Sequence, residues 1–253
     1  MSARTISIAT HKGGTGKTVT AMALGAGLAR AGQKTLLIDL DPQGHCSLGL
    51  GVETEEGEPT LREFFSEPAT PLARIVRATG AEGLEIAPSN IRLARVAQSL
   101  SMRPKREELL RRGLKPLEDR YDFMVLDCPP TLGVLTEAGI AAADFVVIPC
   151  QMEARAADGL VDLLEVISII KGEDFADWGI LLTKFDKRKS ATNQAILTAL
   201  APWQEKIFRT TIPQSEPLNQ AQIVRSDIYS FDGKSAGAVA YQAFTQEVLT
   251  HGQ

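Results

Sequence analysis

The chain has 253 residues, enough for one α/β domain or two small ones and for a substantial buried core. Its 27 lysines and arginines against 31 aspartates and glutamates give a net charge of −4, which excludes a nucleic-acid affinity spread over the whole surface and leaves only a local patch to supply one. Three scattered cysteines without a C-x-x-C pair exclude a disulfide framework or paired-thiol metal site, and no apolar run approaches the roughly eighteen residues that cross a bilayer.

The amino-terminal Met1-Ser2-Ala3-Arg4 leads straight into the apolar, β-branched Thr5-Ile6-Ser7-Ile8-Ala9, leaving no room for a secretion signal. A cytoplasmic protein that begins with a strand is expected. Next come Lys12-Gly13-Gly14-Thr15-Gly16-Lys17-Thr18, followed by a small, apolar helical pattern over 21–31 that Gly32 ends. Strand, glycine-rich loop and helix form a phosphate cradle: glycines let backbone N–H groups turn inward on an anion, and the helix adds its unpaired N–H groups and positive dipole end. Lys17 then meets the β/γ-phosphates and Thr18 meets Mg²⁺. His11 stands where the strict pattern has its first glycine.

Residues 34–40 read as a doubly covered strand with Asp39 and Asp41 at its carboxyl end. From 51 to 71 the chain turns acidic, with Pro59, Pro68 and Pro71, around a short helix at 61–65. A third strand is expected at 84–87. The stretch 91–120 is helical in period and strongly charged, and Pro104 and Pro116 break it into two helices with a solvated basic face. Buried-type strands follow at 123–128, 145–150 and 178–183, with helices at 134–142 and 156–170 between them and later helices at 193–200 and 237–249. The alternation predicts one α/β domain over residues 1–253, built on a doubly wound, mostly parallel sheet flanked by helices.

Parallel strands point their carboxyl ends at one edge, so the glycine loop, Asp39, Asp41 and Asp127 are expected to converge there. Asp127 ends the strand Met124-Val125-Leu126 and reads as the acid that holds Mg²⁺, mostly through water. Asp39 reads either as a second metal-shell group or as a structural partner of Lys17. Thr183-Lys184-Phe185-Asp186 is similar to the guanine-reading N-K-x-D, with threonine in place of asparagine. Basic residues gather at Lys184, Lys187, Arg188 and Lys189, with Arg209, Arg225 and Lys234 further on. They read either as solvated surface or as a patch that meets DNA phosphates through Lys187, Arg188, Lys189, Arg209 and Arg225. His11, His45 and His251 show no ligand spacing.

The form K-G-G-x-G-K-T, with Lys12 heading the loop, resembles the deviant Walker A signature of the ParA/MinD superfamily of P-loop ATPases. The segment from Leu37 through Asp41-Pro42-Gln43-Gly44 resembles the family's second motif, and Asp127-Cys128-Pro129-Pro130-Thr131-Leu132-Gly133 its switch segment. With Gln151-Met152-Glu153, Asp158-Gly159-Leu160, Ile212-Pro213 and the tail from Gly237, the likeness runs from residue 4 to about 249, and is to ParA-like proteins of the Soj type. The resemblance implies a P-loop NTPase fold that takes ATP. It implies that Lys12 reaches across a dimer interface to the partner's nucleotide and that Asp41 positions the attacking water. Lys12, Gly13, Gly14, Thr15, Gly16, Lys17, Thr18 and Val19 would hold the nucleotide together with Thr183, Lys184 and Pro213, while Thr18, Asp41 and Asp127 would hold Mg²⁺. The implied activity is weak ATP hydrolysis in an ATP-dependent homodimer that binds DNA non-specifically, associates with the nucleoid, and is triggered by a ParB-like activator or cargo adaptor during partitioning. Two departures stand out: Val19 replaces the usual Thr or Ser at the α-phosphate, and Gln214-Ser215-Glu216-Pro217-Leu218 lacks the family's DNA-associated arginine. A MinD-like membrane ATPase is an alternative, although the tail at 244–251 lacks the positive charge to hold lipid, so no membrane partner is expected. A metabolic P-loop enzyme is another; Cys128 and Cys150 read as small buried hydrophobes and not cluster ligands.

Overall fold

The apolar segments pair into one sheet because each is hydrophobic on both sides, and only a position covered on both faces buries them fully. The computed structural model describes residues 2–67, 69–153 and 157–251. Within them the strands are β1 (Arg4–Ile8), β2 (Thr35–Asp39), β3 (Arg77–Ala78), β4 (Leu84–Ala87), β5 (Phe123–Asp127), β6 (Phe145–Gln151) and β7 (Trp178–Thr183). Their spatial order is β3-β4-β2-β5-β1-β6-β7, and every neighbouring pair is parallel except β3 with β4. The doubly wound, mostly parallel sheet of the sequence reading is present. The strand at 84–87 is the fourth and not the third, because Arg77 and Ala78 form a two-residue antiparallel edge too short to carry a period.

The helices are α1 (Lys17–Arg30), α2 (His45–Gly49), α3 (Leu61–Ser66), α4 (Leu93–Leu100), α5 (Glu108–Leu114), α6 (Val134–Ala142), α7 (Asp158–Lys171), α8 (Ser190–Ala199), α9 (Glu216–Ile223), α10 (Ile228–Asp232) and α11 (Ala236–Thr250). One core layer joins Ile6, Leu37, Val125 and Val147 of the sheet to α1, α2, α9, α10 and α11. The other joins Leu36, Ile38, Met124 and Val146 to α3 through α8. Successive residues of one strand thus serve opposite layers, as the pleat requires.

Helix α1 starts four residues earlier than its apolar pattern, since the chain is already wound at Lys17. The expected start of α7 at Ala156 lies outside the described residues. Helices α9 and α10 carry weak periodicity and were not expected. Proline in its first turn starts α9, and the Asp227 carboxylate caps α10 by accepting from the backbone N–H groups of Tyr229 and Ser230 at 2.9 and 3.0 Å. Helix α6 lies tightly on the sheet because Gly139 has no side chain; a Cβ there would stand 2.6 Å from Cys128 Sγ. No helix among the described residues is long and apolar enough to cross a membrane.

Candidate nucleotide site

Between β1 and α1 the chain must reverse direction over the carboxyl edge of the sheet within a few residues. Gly14 and Gly16 supply the left-handed turns, at φ 76° and 93°. A Cβ on Gly16 would find room, its nearest neighbour being Thr183 Cγ2 at 3.9 Å, so it is backbone conformation that requires glycine. The loop is tied down from β7: the buried Thr183 hydroxyl donates to the Thr15 carbonyl at 2.7 Å. Within the loop, Lys17 Nζ donates to the Lys12 carbonyl at 3.1 Å. Burial lowers the Lys17 pKa, against the pull of Asp127 and Asp41.

The strand register then places two acids side by side, Asp39 opposite Asp127 across β2 and β5. Both are fully buried. Asp39 is spoken for: one oxygen accepts from Ser47 N and Oγ at 2.9 and 2.6 Å, and the other from Asp41 N at 3.2 Å. It anchors α2 and orients Asp41, and among the described residues it makes no bond to Lys17. Burial pushes its carboxyl up to about 7. Asp41 lies in the same crevice, buried, its Oδ1 accepting from Gln43 N at 2.9 Å. Asp127 differs from both, for neither of its oxygens accepts a bond of full hydrogen-bond geometry, and the Thr18 hydroxyl beside it gives only partial support. Burial, then the Asp39 charge, hold its carboxyl well above the usual range, while the Thr18 hydroxyl and the Lys17 ammonium oppose them.

A buried carboxylate so weakly satisfied is a costly arrangement unless a cation completes it. The oxygen donors of Asp127, Thr18 and Asp41 fit Mg²⁺, a hard ion that keeps several waters and takes few protein ligands. Among the described residues no group of three or more His, Cys, Asp or Glu could hold a metal ion.

Beside the loop opens a cavity of about 360 Å³ walled by Thr15, Gly16, Val19, Thr183, Lys184 and Pro213. All six are residues singled out in the sequence, and the parallel bridge between Phe185 and Pro213 aligns the last of them with the end of β7. The same wall holds Gln151 and Gln214, which the sequence motifs named without a role at the nucleotide, and Asn219, which sequence reasoning missed because α9 carries only weak periodicity. Asp186, the acid of the guanine-like motif, is engaged by Arg188 Nε and Nη2 at 3.0 and 2.8 Å, and those hydrogen bonds lower its carboxyl to about 2.

At the head of the loop Gly13 is exposed and Lys12 half-buried. Lys12 Nζ stands 3.6 Å from Glu153 Oε2, and the His11 ring 2.9 Å from Asp162 Oδ2. Both acids come from the segment around the start of α7 and were not singled out as partners. Of the five basic candidates for DNA, Lys187, Arg188 and Lys189 follow β7 at this edge. Arg209 runs beside α11, its N–H donating to Glu247 at 2.7 Å, and Arg225 lies just past the end of α9, paired with Glu53. The three cysteines are buried, and burial raises the Cys128 thiol to about 12 and the Cys150 thiol to about 11.

The family model described as AAA domain matches residues 3–177. The chain is 36% identical over 250 residues to sporulation initiation inhibitor protein Soj of Bacillus subtilis, covering 98% of each chain. It is 35% identical over 249 residues to chromosome partitioning protein ParA of Myxococcus xanthus, covering 97% of this chain and 88% of that one. A solved structure of cobyrinic acid a,c-diamide synthase from Mycobacterium smegmatis with bound ATP analog and magnesium superposes with a TM-score of 0.83 at 32% identity, over 98% of this chain and 95% of that chain.

Proposed function

Given that the chain belongs to the ParA/Soj family of P-loop ATPases, we propose that residues 1–253 act as one ATPase domain that closes into an ATP-dependent homodimer and moves or partitions a cargo along DNA. The observation that carries the reading is Asp127, a fully buried carboxylate whose oxygens accept no hydrogen bond of full geometry, beside Thr18 and Lys17 of the glycine loop.

Backbone N–H groups of Gly13, Gly14, Thr15 and Gly16 bind the phosphates, and Lys17 leaves the Lys12 carbonyl to meet the β/γ oxygens. Thr18, Asp41 and Asp127 hold Mg²⁺, which when bound offsets charge on the phosphate oxygens. Asp41 orients the attacking water, its carboxylate fixed by the Gln43 N–H. Lys12 exchanges Glu153 for the partner subunit's nucleotide. Val19, Thr183, Lys184 and Pro213 border the base, and adenine is favoured because Asp186 is already taken by Arg188. Hydrolysis stays slow until a ParB-like activator or cargo adaptor completes the site. Lys187, Arg188, Lys189, Arg209 and Arg225 supply a sequence-indifferent attraction to DNA, bringing the dimer to the nucleoid. The MinD-like alternative lacks support from α11, whose Tyr241, Phe244 and Val248 are buried instead of facing a lipid surface.

A gel shift on arbitrary duplex DNA with ATP, ADP or no nucleotide tests the proposal. Retardation only with ATP, fading as salt rises and indifferent to sequence, is expected. Retardation that ignores nucleotide, or none at any salt, contradicts it.

A further inference from the structure

Residues 91–106 contain Arg92, Arg95, Arg103, Lys105 and Arg106 and no acidic residue, in a chain whose net charge is −4. Helix α4 arises within this stretch, and its amphipathic spacing sorts the side chains. Leu93 and Leu100 are buried in the core layer, while Arg92, Arg95 and Ser99 lie at helical spacing on the exposed side. Together with Arg62 of α3, Ile91 and Val96, they wall a groove of about 600 Å³.

Two of the three arginines already hold carboxylates. Arg92 Nη2 is 3.0 Å from Glu56, and Arg62 pairs with Glu63. Arg95 makes no ion pair among the described residues, and Ile91 is 63% exposed at the mouth of the groove. A separate cavity of about 340 Å³ between α3 and α5, walled by Phe64, Phe65 and Leu109 with Arg103 and Arg112, shares no residue with this groove. Guanidinium groups set beside uncovered apolar surface match a ligand that carries carboxylates and apolar side chains together.

We propose that this α3–α4 face is a docking surface for an acidic, partly apolar peptide segment of a partner protein, separate from the nucleotide crevice. A duplex backbone offers nothing to cover Ile91 and Val96 in the groove. A bilayer needs an outward apolar stripe, and α4 has turned its leucines inward.

The test is fluorescence anisotropy with a labelled peptide of glutamates interspersed with leucines, using the whole chain at low and high salt. Arbitrary duplex DNA and phosphatidylglycerol vesicles are run alongside. The double variant Arg92→Glu/Arg95→Glu is expected to weaken peptide binding about tenfold or more, the scale of an anchoring interface arginine, while ATP turnover and thermal unfolding stay unchanged. The milder Arg95→Gln is expected to weaken it in the same direction. Lys187→Glu/Arg188→Glu is expected to leave peptide affinity as it was, which separates this face from the proposed DNA patch. Peptide binding that the α4 variants do not alter overturns the proposal. So does loss of DNA or vesicle binding in those variants while the peptide never bound.

Discussion

Thr183 donates its buried hydroxyl to the Thr15 carbonyl, so it holds the phosphate loop in place from the neighbouring strand. Replacing it with valine keeps the shape and removes the hydrogen bond, a loss of about 1 kcal/mol. ATP affinity, measured by titration of a fluorescent analogue, is expected to fall about fivefold; an unchanged affinity contradicts the anchoring role. Asp127 works the other way, since burial and the Asp39 charge outweigh what Thr18 and Lys17 give its carboxylate. Asp127→Asn is therefore expected to raise Tm by a few degrees, about 2–4 °C for each kcal/mol in a chain of this size, while Mg²⁺-dependent ATP binding is lost. Calorimetry paired with nucleotide binding checks both halves, and a variant that is both less stable and still bound to Mg²⁺-ATP refutes the assignment. The glycine loop, Lys17 and Asp127 were legible in the sequence because each lies in a local motif. The Lys12–Glu153 and His11–Asp162 pairs were not, since the crossover from β6 into α7 alone brings those acids to the loop.

At the scale of elements, α3 is set by a capping box. The Thr60 hydroxyl accepts from the Arg62 N–H at 3.2 Å, and Glu63 accepts from Thr60 N at 2.8 Å. Burial works against the Glu63 charge, but hydrogen bonds from Thr60 and Arg62 hold its carboxyl below the ordinary range. A depressed carboxylate contributes stability above its unfolded pKa and loses it as pH falls through the folded one. The stability gap between wild type and Glu63→Gln, about 0.5–1 kcal/mol at neutral pH, is thus expected to close once pH drops below the normal glutamate range. Urea unfolding at several pH values measures it, and a gap that widens in acid contradicts the cap. Elements of this length that matched the sequence reading, such as the helix at Val134–Ala142 and the strand at Trp178–Thr183, had clear periods or unbroken apolar runs. The two-residue β3, the five-residue α2 and α10, and the polar α9 had neither, and they exist because the packed sheet offers them a surface.

Across the whole molecule, parallel strand order brings the loop after β1, Asp41 after β2, Asp127 at the end of β5 and Thr183 at the end of β7 to one edge. Distant motifs become one site through that topology, which the alternation of strands and helices made legible in advance. What local sequence patterns withhold is how two copies meet, because the lysine that would join them rests on Glu153 of its own chain at 3.6 Å. An exposed pair of this kind contributes about 0–1 kcal/mol, weak enough for nucleotide to displace. ATP is proposed to close the dimer through Lys12. Light scattering on size-exclusion peaks, with Mg²⁺ and a non-hydrolysable ATP analogue, tests it directly. A dimer is expected for the wild-type chain, and a monomer for Lys12→Ala that still binds the analogue. A wild-type chain that stays monomeric with analogue bound, or a Lys12→Ala chain that dimerises equally well, contradicts it.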